Sequence, residues 1–240
     1  MAVVVRASGT PAPRSGCLPD RFNPSRIYDE IRHLGSGAFG AAFLVRRKRD
    51  GRRFVAKKCC IESMPEKQRA MCLEEIRLLR QARHDCIAQY VDFIWSSRDK
   101  MNYWLVLKYY PGGDLGDQIK ECVDDDTLLP PGKINNWLTQ LCMALQYVHL
   151  INIVHRDVKP TNLFVTGTEN IVLGDFGVSK QLSEHTQRAG TAVGSPTYMA
   201  PEWWDGRGGT QASDMWSVGI VAHELTALAR PFEAGNVLSL

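Results

Sequence analysis

The sequence predicts an α+β fold, in which a β-rich part with one helix precedes a larger helical part. The stretches 27–34, 43–45 and 103–110 have the length and composition of strands. Later stretches that begin near residues 134 and 213 instead repeat apolar residues at helical spacing. Strands are therefore concentrated before residue 110 and helices after it.

The composition excludes several classes of protein. With 240 residues and 44% hydrophobic content, the chain forms one large domain or two small ones with a sizeable core. A net charge of +3 is too weak to indicate a nucleic-acid or membrane partner. The 7 cysteines form no C-x-x-C pair, which argues against a zinc site and a disulfide framework. No apolar run approaches the ~18 residues of a membrane span. We therefore expect a reduced, cytoplasmic chain.

The first ordered feature is a glycine-rich hairpin. Residues 1 to about 25 are rich in Pro, Ser, Gly and Arg and are predicted to be a disordered leader. A strand from Ile27 then enters Gly35-Ser36-Gly37-Ala38-Phe39-Gly40, and strand residues resume at Phe43. This G-x-G-x-x-G pattern is also typical of a Rossmann turn. Because a strand and not a helix follows, we favour a hairpin whose glycines let backbone N–H groups close over phosphates.

A basic run, Arg46 to Arg53, surrounds Asp50-Gly51. It could be a nuclear or nucleic-acid patch, but Asp-Gly between two strands favours a hairpin turn with solvated arginines. A helix is predicted from Ser63, with Ser63 as its cap and Pro65 in the first turn. One face of this helix is apolar, at Leu73, Ile76, Leu79 and Ala82.

The buried strand at 103–110 ends at a Pro-Gly-Gly turn, which Asp114 follows. Three aspartates at 124–126 are interpreted as a solvated loop rather than a metal site. A long helix then covers 134–148. His149 and His155 could be metal ligands, but the sequence places no third ligand near them, so we interpret both as structural residues.

Four polar residues in one short stretch indicate a catalytic site. Asp157, Lys159 and Asn162 follow an apolar lead-in, and Asp175 follows the β-rich run 171–173. Phosphoryl transfer needs a carboxylate to orient the attacking hydroxyl, a carboxylate and an amide oxygen to hold Mg²⁺, and a lysine to meet the transferred charge. The same residues could instead be a hairpin with solvated turns.

The joint pattern H-R-D-x-K-x-x-N at 155–162 and D-F-G at 175–177 resembles the catalytic and metal-binding loops of eukaryotic protein kinases. The stretch 190–202, which ends in A-P-E, is similar to a kinase activation segment. The segments 112–115, 173–178 and 194–198 resemble the NIMA-related kinases.

This resemblance covers about 27–240 and implies a bilobal protein kinase fold. The small, mostly antiparallel β N-lobe with one helix would span about 26–110, and the larger helical C-lobe about 111–240. The family continues for several helices past this end, so we expect a C-lobe that lacks its last helices. Glu202 of A-P-E would then lack the arginine with which it pairs in a complete kinase.

The resemblance also implies that ATP and Mg²⁺ are bound. Asp157 would orient the hydroxyl, Lys159 would steady the γ-phosphate, and Asn162 with Asp175 would hold Mg²⁺. Lys57, 18 residues before Glu75, matches the lysine–glutamate pair of kinases; counting from Lys58 fits worse. The other residues implied to contact the nucleotide are Gly35, Ser36, Gly37, Ala38, Phe39, Gly40, Ala42 (usually Val in kinases), Ala56, Leu107 as gatekeeper, Lys108, Tyr110, Asp114 and Phe164.

Regulation and partners are likewise implied by the resemblance. Thr191 lies where related kinases carry an activating phosphothreonine, Arg156 would bind that phosphate, and Ser195 matches the hydroxyl that contacts the catalytic Asp and Lys in Ser/Thr kinases. The partners would be a protein substrate with a Ser or Thr acceptor and an upstream or self-activating kinase at Thr191. Family resemblance alone allows a cytoskeletal or nuclear location. The alternative function is a truncated nucleotide-binding or scaffolding pseudokinase with little activity.

Overall fold

The computed structural model describes residues 24–37, 40–62, 65–95, 102–176, 196–204 and 209–232. They form two compact units. The first contains the residues up to Gln81 together with Gln89–Tyr109, and the second contains Ala82–Ala88 together with the residues from Tyr110 onward. The leader predicted before residue 26 lies outside the described residues, except for Pro24 and Ser25, which are in the turn that precedes the first strand.

The first unit is a five-stranded antiparallel sheet with one helix. The strand order is β1-β2-β3-β5-β4. The elements are β1 (Tyr28–Gly37), β2 (Gly40–Arg47), β3 (Arg53–Cys60), α1 (Glu66–Gln81), β4 (Tyr90–Trp95) and β5 (Asn102–Lys108). The predicted β-rich first part is confirmed, but β4 was not predicted although its Tyr-Val-Asp-Phe-Ile-Trp composition is typical of a strand.

One face of this sheet is a closed apolar core. Its members are Tyr28, Phe43, Val45, Phe54, Ala56, Trp104 and Val106. At the β2–β3 connection, Gly51 adopts a φ of +69°, and Arg47 Nε donates to Asp50 Oδ1 at 3.0 Å. Only glycine enters this region of φ without strain. The predicted hairpin turn at Asp50-Gly51 is therefore confirmed.

Helix α1 starts later than predicted. It begins at Glu66, and Pro65 precedes it with its carbonyl accepting from Arg69 N at 3.0 Å. The predicted cap, Ser63, lies outside the described residues. Ile76 and Leu79 are buried as the apolar face predicted.

The second unit is mainly helical. Its elements are α2 (Leu115–Asp124), α3 (Pro131–Leu150), the hairpin of β6 (Leu163–Val165) and β7 (Ile171–Leu173), α4 (Pro201–Trp204) and α5 (Gln211–Ala227), with short 3₁₀ turns at Pro160–Asn162 and Pro196–Tyr198. Helix α3 packs against α5 and β7. The apolar residues Trp137, Leu141 and Leu145 of α3 are buried, which confirms the helical period.

Residues 82–88 belong to this second unit, although the predicted boundary near residue 110 placed them in the first. Backbone hydrogen bonds fix them there, because Ala88 N donates to Leu173 O and Leu173 N donates to Cys86 O, both at 2.8 Å. No helix within the described ranges is both long and apolar enough to cross a bilayer.

Candidate active site

The predicted catalytic residues of the second unit are brought together on the loop that follows α3. Lys159 Nζ lies 3.0 Å from Asp157 Oδ2. Asn162 Nδ2 donates to the Asp157 carbonyl at 2.7 Å and to Asp157 Oδ2 at 3.2 Å. The Asp157 carboxylate is thus oriented by one cation and one amide while it stays partly exposed. This arrangement holds an acceptor in place for the proton of a hydroxyl group.

A buried carboxylate on α5 anchors this loop. Asp214 is 1% exposed, and it accepts from the backbone N–H groups of His155 and Arg156, each at 2.8 Å. His149 Nε2 lies 2.8 Å from the same carboxylate. Arg156 has a φ of +67°, a strained conformation that persists only when the surroundings enforce it. Asp214 supplies that constraint, and the sequence had indicated it only as part of a helix start.

His155 links the loop to the next segment. Its Nδ1 accepts from Asp157 N at 3.2 Å, so its Nε2 carries the hydrogen that is donated to Gly174 O at 3.0 Å. Complete burial lowers the pKa of His155 and keeps the ring neutral. The interpretation of His149 and His155 as structural residues is confirmed, since both participate in this network.

The β6–β7 hairpin brings Asn162 and Asp175 to one end. Leu163 pairs with Leu173 across the hairpin. Next to this pair, Gly174 N donates to Asn162 O at 2.9 Å, so Asn162 lies beside the residue that precedes Asp175. The sequence analysis gave a hairpin as the alternative to a chemical site. The structure contains this hairpin, and the hairpin positions Asn162 and Asp175. Because Asn162 Nδ2 donates to Asp157, its amide oxygen is the atom left to face a cation.

These donors fit Mg²⁺. A carboxylate and an amide oxygen are hard ligands, and Mg²⁺ is usually held by one or two carboxylates together with substrate phosphates. Asp175 has a φ of +58°, a further strained residue at this end of the hairpin. Among the described residues no group of three or more His, Cys, Asp or Glu forms a denser metal site.

An apolar platform of the second unit contains two predicted nucleotide-binding residues. The rings of Tyr110 and Phe164 are parallel within 4°, with centroids 6.2 Å apart. They pack with Ala88 and Val172. Tyr110 and Phe164 therefore lie together, and their contact with adenine stays a prediction.

Asp114 has a structural role that the sequence analysis missed. It is the N-cap of α2, where its Oδ1 accepts from Asp117 N at 3.0 Å, and it is 3% exposed. Burial, followed by the nearby charge of Asp117, raises the pKa of Asp114 to about 6. The predicted contact with a ribose hydroxyl would therefore use a carboxylate that already caps a helix.

In the first unit the glycine pattern lies within the strands. Gly35 pairs with Ala42, and Gly37 with Gly40, across β1 and β2. Gly40 has a φ of +147°, and a Cβ there would lie 1.7 Å from Lys58 O, so the close approach of β3 requires glycine. Ser36 is exposed, with its Oγ 2.9 Å from His33 Nε2.

Lys57 lies on the sheet face opposite to the apolar core. It pairs with Ala42 of β2 and with Leu105 of β5. Directly opposed residues point to the same face and alternate residues share it. Val55, which pairs with Leu107, is therefore on the same face as Lys57. The sequence analysis did not name Val55, although the alternation of side chains along a strand places it, two residues before Lys57, on this face.

The assignment of Ala56 to the nucleotide site is wrong. Ala56 is 0% exposed within the core cluster on the other face, because neighbouring residues of a strand point to opposite sides.

Lys108 is at the end of β5, and its N–H donates to Gln89 O at 2.9 Å. The N–H of Lys108 is thus committed within its own unit.

Ala38, Phe39, Thr191 and Ser195 lie outside the described residues, as does the side chain of Glu75 on α1. The Lys57–Glu75 pair stays a prediction. Glu202 of α4 accepts a hydrogen bond from Ser213 Oγ at 2.6 Å. The expected lack of an arginine partner for Glu202 stays a prediction.

Comparison with known proteins agrees with this site. Residues 28–239 match the family model described as protein kinase domain. The probable serine/threonine-protein kinase nek2 of Dictyostelium discoideum is 38% identical over 216 residues, which cover 89% of this chain and 51% of that protein. Nek2 of Homo sapiens is 36% identical over 218 residues, covering 88% and 49%. Nek4 of Mus musculus is 35% identical over 217 residues, covering 90% and 27%. The chain thus spans about half or less of the length of these relatives.

Proposed function

The chain belongs to the protein kinase family, and on that premise we propose that it transfers the γ-phosphate of ATP to a serine or threonine hydroxyl of a protein substrate, as a NIMA-related-like kinase. The observation that carries the proposal is the orientation of Asp157 by Lys159 and Asn162. The similarity to Nek serine/threonine kinases supports the choice of acceptor.

The mechanism assigns one task to each residue. Asp157 orients the substrate hydroxyl and accepts its proton as the oxygen attacks the γ-phosphorus. The bond between that phosphorus and the β–γ bridging oxygen breaks, and ADP leaves. Lys159, 3.0 Å from Asp157, stabilises the charge on the transferred group. Asn162 and Asp175 would hold Mg²⁺, which when bound neutralises charge on the phosphates.

The first unit contributes residues for the rest of the nucleotide. The backbone of the glycine hairpin would cover the phosphates, and Lys57 would bind the α- and β-phosphates. Ala42 and Val55, on the face that carries Lys57, would contact the adenine. These contacts are proposals that follow from the position of each residue in its own unit.

A phosphotransfer assay tests this function. We expect incorporation of labelled phosphate into a generic basic protein with Mg²⁺-ATP, and a loss of at least about 100-fold in Asp157→Asn, because one positioned proton acceptor contributes about that much or more. The circular dichroism of the variant should stay native-like, since its side chain faces solvent in part. Nucleotide binding without any transfer by the native chain would instead favour the scaffolding alternative.

The same assay addresses regulation. An activating phosphate on Thr191, added by an upstream kinase or by the chain itself, would bring close to two negative charges that the Arg156 guanidinium can bind. We expect Thr191→Ala to lower activity at least about tenfold and Arg156→Ala to reproduce this loss. A fully active Thr191→Ala variant would refute the switch.

A further inference from the structure

A cluster of four side chains joins the turn at Pro196–Tyr198 to the end of α5. The Tyr198 hydroxyl donates to Glu224 Oε2. Arg230 Nε lies 3.8 Å from Glu224 Oε1, and Arg230 Nη1 donates to Thr197 Oγ1 at 3.4 Å. The Arg230 guanidinium thus lies beside Glu224 Oε1, whereas the Tyr198 hydroxyl binds Glu224 Oε2. The catalytic roles above do not use this pair.

The cluster lies beside the catalytic carboxylate. Tyr198 and Asp157 line one small cavity of the second unit. Ser217 Oγ of α5 donates to the Tyr198 carbonyl at 2.8 Å, which fixes the turn against the helix. Burial and then Glu224 raise the pKa of Tyr198, so the phenol stays neutral and serves as a donor. The Glu224 carboxylate is therefore held by a residue that shares a cavity with Asp157.

The exposures show which partner faces the solvent. The Glu224 side chain is 13% exposed, whereas that of Arg230 is 41% exposed. Arg230 is therefore the solvent-facing member of the pair, and Glu224 is the more buried member. Ion pairs with one exposed partner contribute little to stability, so replacing Arg230 should leave the fold intact and uncover the charge of Glu224.

We propose that Arg230 determines substrate specificity by occupying Glu224, so that an arginine or lysine beside the phosphoacceptor gains no attraction from this acid. The inference rests on the proposed function. A peptide whose hydroxyl lies at Asp157 advances by at most about 3.3–3.6 Å per residue, so only a few positions on either side of the acceptor can reach Tyr198 and Glu224. In the native chain a basic residue there meets a neutralised acid and the guanidinium of Arg230, and like charge disfavours its binding.

Peptide binding tests the proposal without requiring catalysis. The probes are fluorescent peptides of one sequence with Ala at the acceptor position, in which a single Arg or Gln is placed at each flanking position in turn. Fluorescence anisotropy gives the Arg/Gln preference for the native chain, Arg230→Gln, Arg230→Lys and the double variant Arg230→Gln/Glu224→Gln. Thermal melts establish that each variant is folded.

The measured quantity is the ratio of the affinities for the Arg peptide and the Gln peptide at each position. At one position or more, we expect this ratio to be about fivefold higher for Arg230→Gln than for the native chain. A change of about fivefold is at the upper end of what one partly exposed charge pair contributes. The gain should shrink at high salt. Arg230→Lys should show no gain because it keeps the charge, and the double variant should lose the gain because Glu224 supplies it. A gain that survives in the double variant, or its absence at every position in Arg230→Gln, overturns the proposal.

Phosphotransfer to the same peptides with Ser at the acceptor separates this inference from the proposed function. Transfer by the native chain with no change of preference in Arg230→Gln supports the kinase activity and overturns the role of Arg230. A binding gain in Arg230→Gln with no transfer by any form supports the role of Arg230 in peptide recognition and overturns the kinase activity.

Discussion

At the scale of single residues, the face of a strand decides which side chains are available to the proposed nucleotide site. Ala42 and Lys57 are paired across β2 and β3, whereas the neighbouring Ala41 packs against the apolar core of the other face. Both alanines are partly buried. They therefore offer the same change in size at two positions that differ mainly in the direction of the side chain.

We expect Ala42→Val to strengthen ATP binding several-fold. Two added methyl groups on the Lys57 face would bury further apolar surface against the adenine, a gain of ~1–1.5 kcal/mol when fully buried. The measurement is the KM for ATP together with the Kd of a fluorescent ATP analogue. Ala41→Val is the control, since its methyl groups enter the core and should change stability but not the Kd. An unchanged or weaker Kd in Ala42→Val would show that this residue does not contact the nucleotide.

At the scale of elements, helix α2 begins at a cap that titrates. The pKa of Asp114 is raised from 3.8 to about 6, so the folded chain keeps a proton that the unfolded chain releases above about pH 4. The stability contributed by this proton is fully present below about pH 4 and is lost as the pH rises through about 6. At neutral pH, α2 therefore begins at a buried charge.

We expect Asp114→Asn to be more stable than the native chain at pH 7.5, by about 2 kcal/mol or less. Asparagine is as good an N-cap as aspartate and carries no charge. Urea unfolding at about pH 4.5 and 7.5 gives the two free energies of unfolding, and the advantage of the variant should shrink at the lower pH. Asp117→Asn is a matched control, because it removes the like charge and should flatten the native pH dependence in part. A variant that is less stable at both pH values would mean that the cap needs the carboxylate.

At the scale of the whole molecule, Asp214 connects distant parts of the second unit. Its carboxylate lies on α5, and its partners come from α3 and from the loop before Asp157. One buried charge is thus satisfied by two backbone N–H groups and one imidazole. Because a buried charge is costly without partners, the loop conformation, including the strained Arg156, depends on this contact.

We expect Asp214→Asn to lower the free energy of unfolding by about 3 kcal/mol, because its amide group would face backbone donors that need an acceptor. Denaturant unfolding measures this loss. His149→Asn is the control, since it alters only one of the three partners and should cost about 1 kcal/mol. Equal losses in the two variants would show that Asp214 does not anchor the catalytic loop.

The sequence by itself determined the candidate site, because the residues of that site are close together in the chain. Asp157, Lys159, Asn162 and Asp175 lie within one short segment, and the β6–β7 hairpin brings Asn162 and Asp175 to one end. The strand character of the first part and the helical period of α3 are also local properties. They follow from alternation and spacing that neighbouring residues impose on each other.

Only the tertiary structure decided the features that depend on distant residues. Asp214 reaches the catalytic loop across 58 and 59 residues of chain, and no local pattern indicates which buried acid will meet it. Ala56 was misassigned because packing chose the face of β3 that is buried. Glu202 gained Ser213 as a partner through the contact of α4 with the start of α5. Such contacts are set by how apolar faces close against each other, and burial then fixes which polar groups must pair.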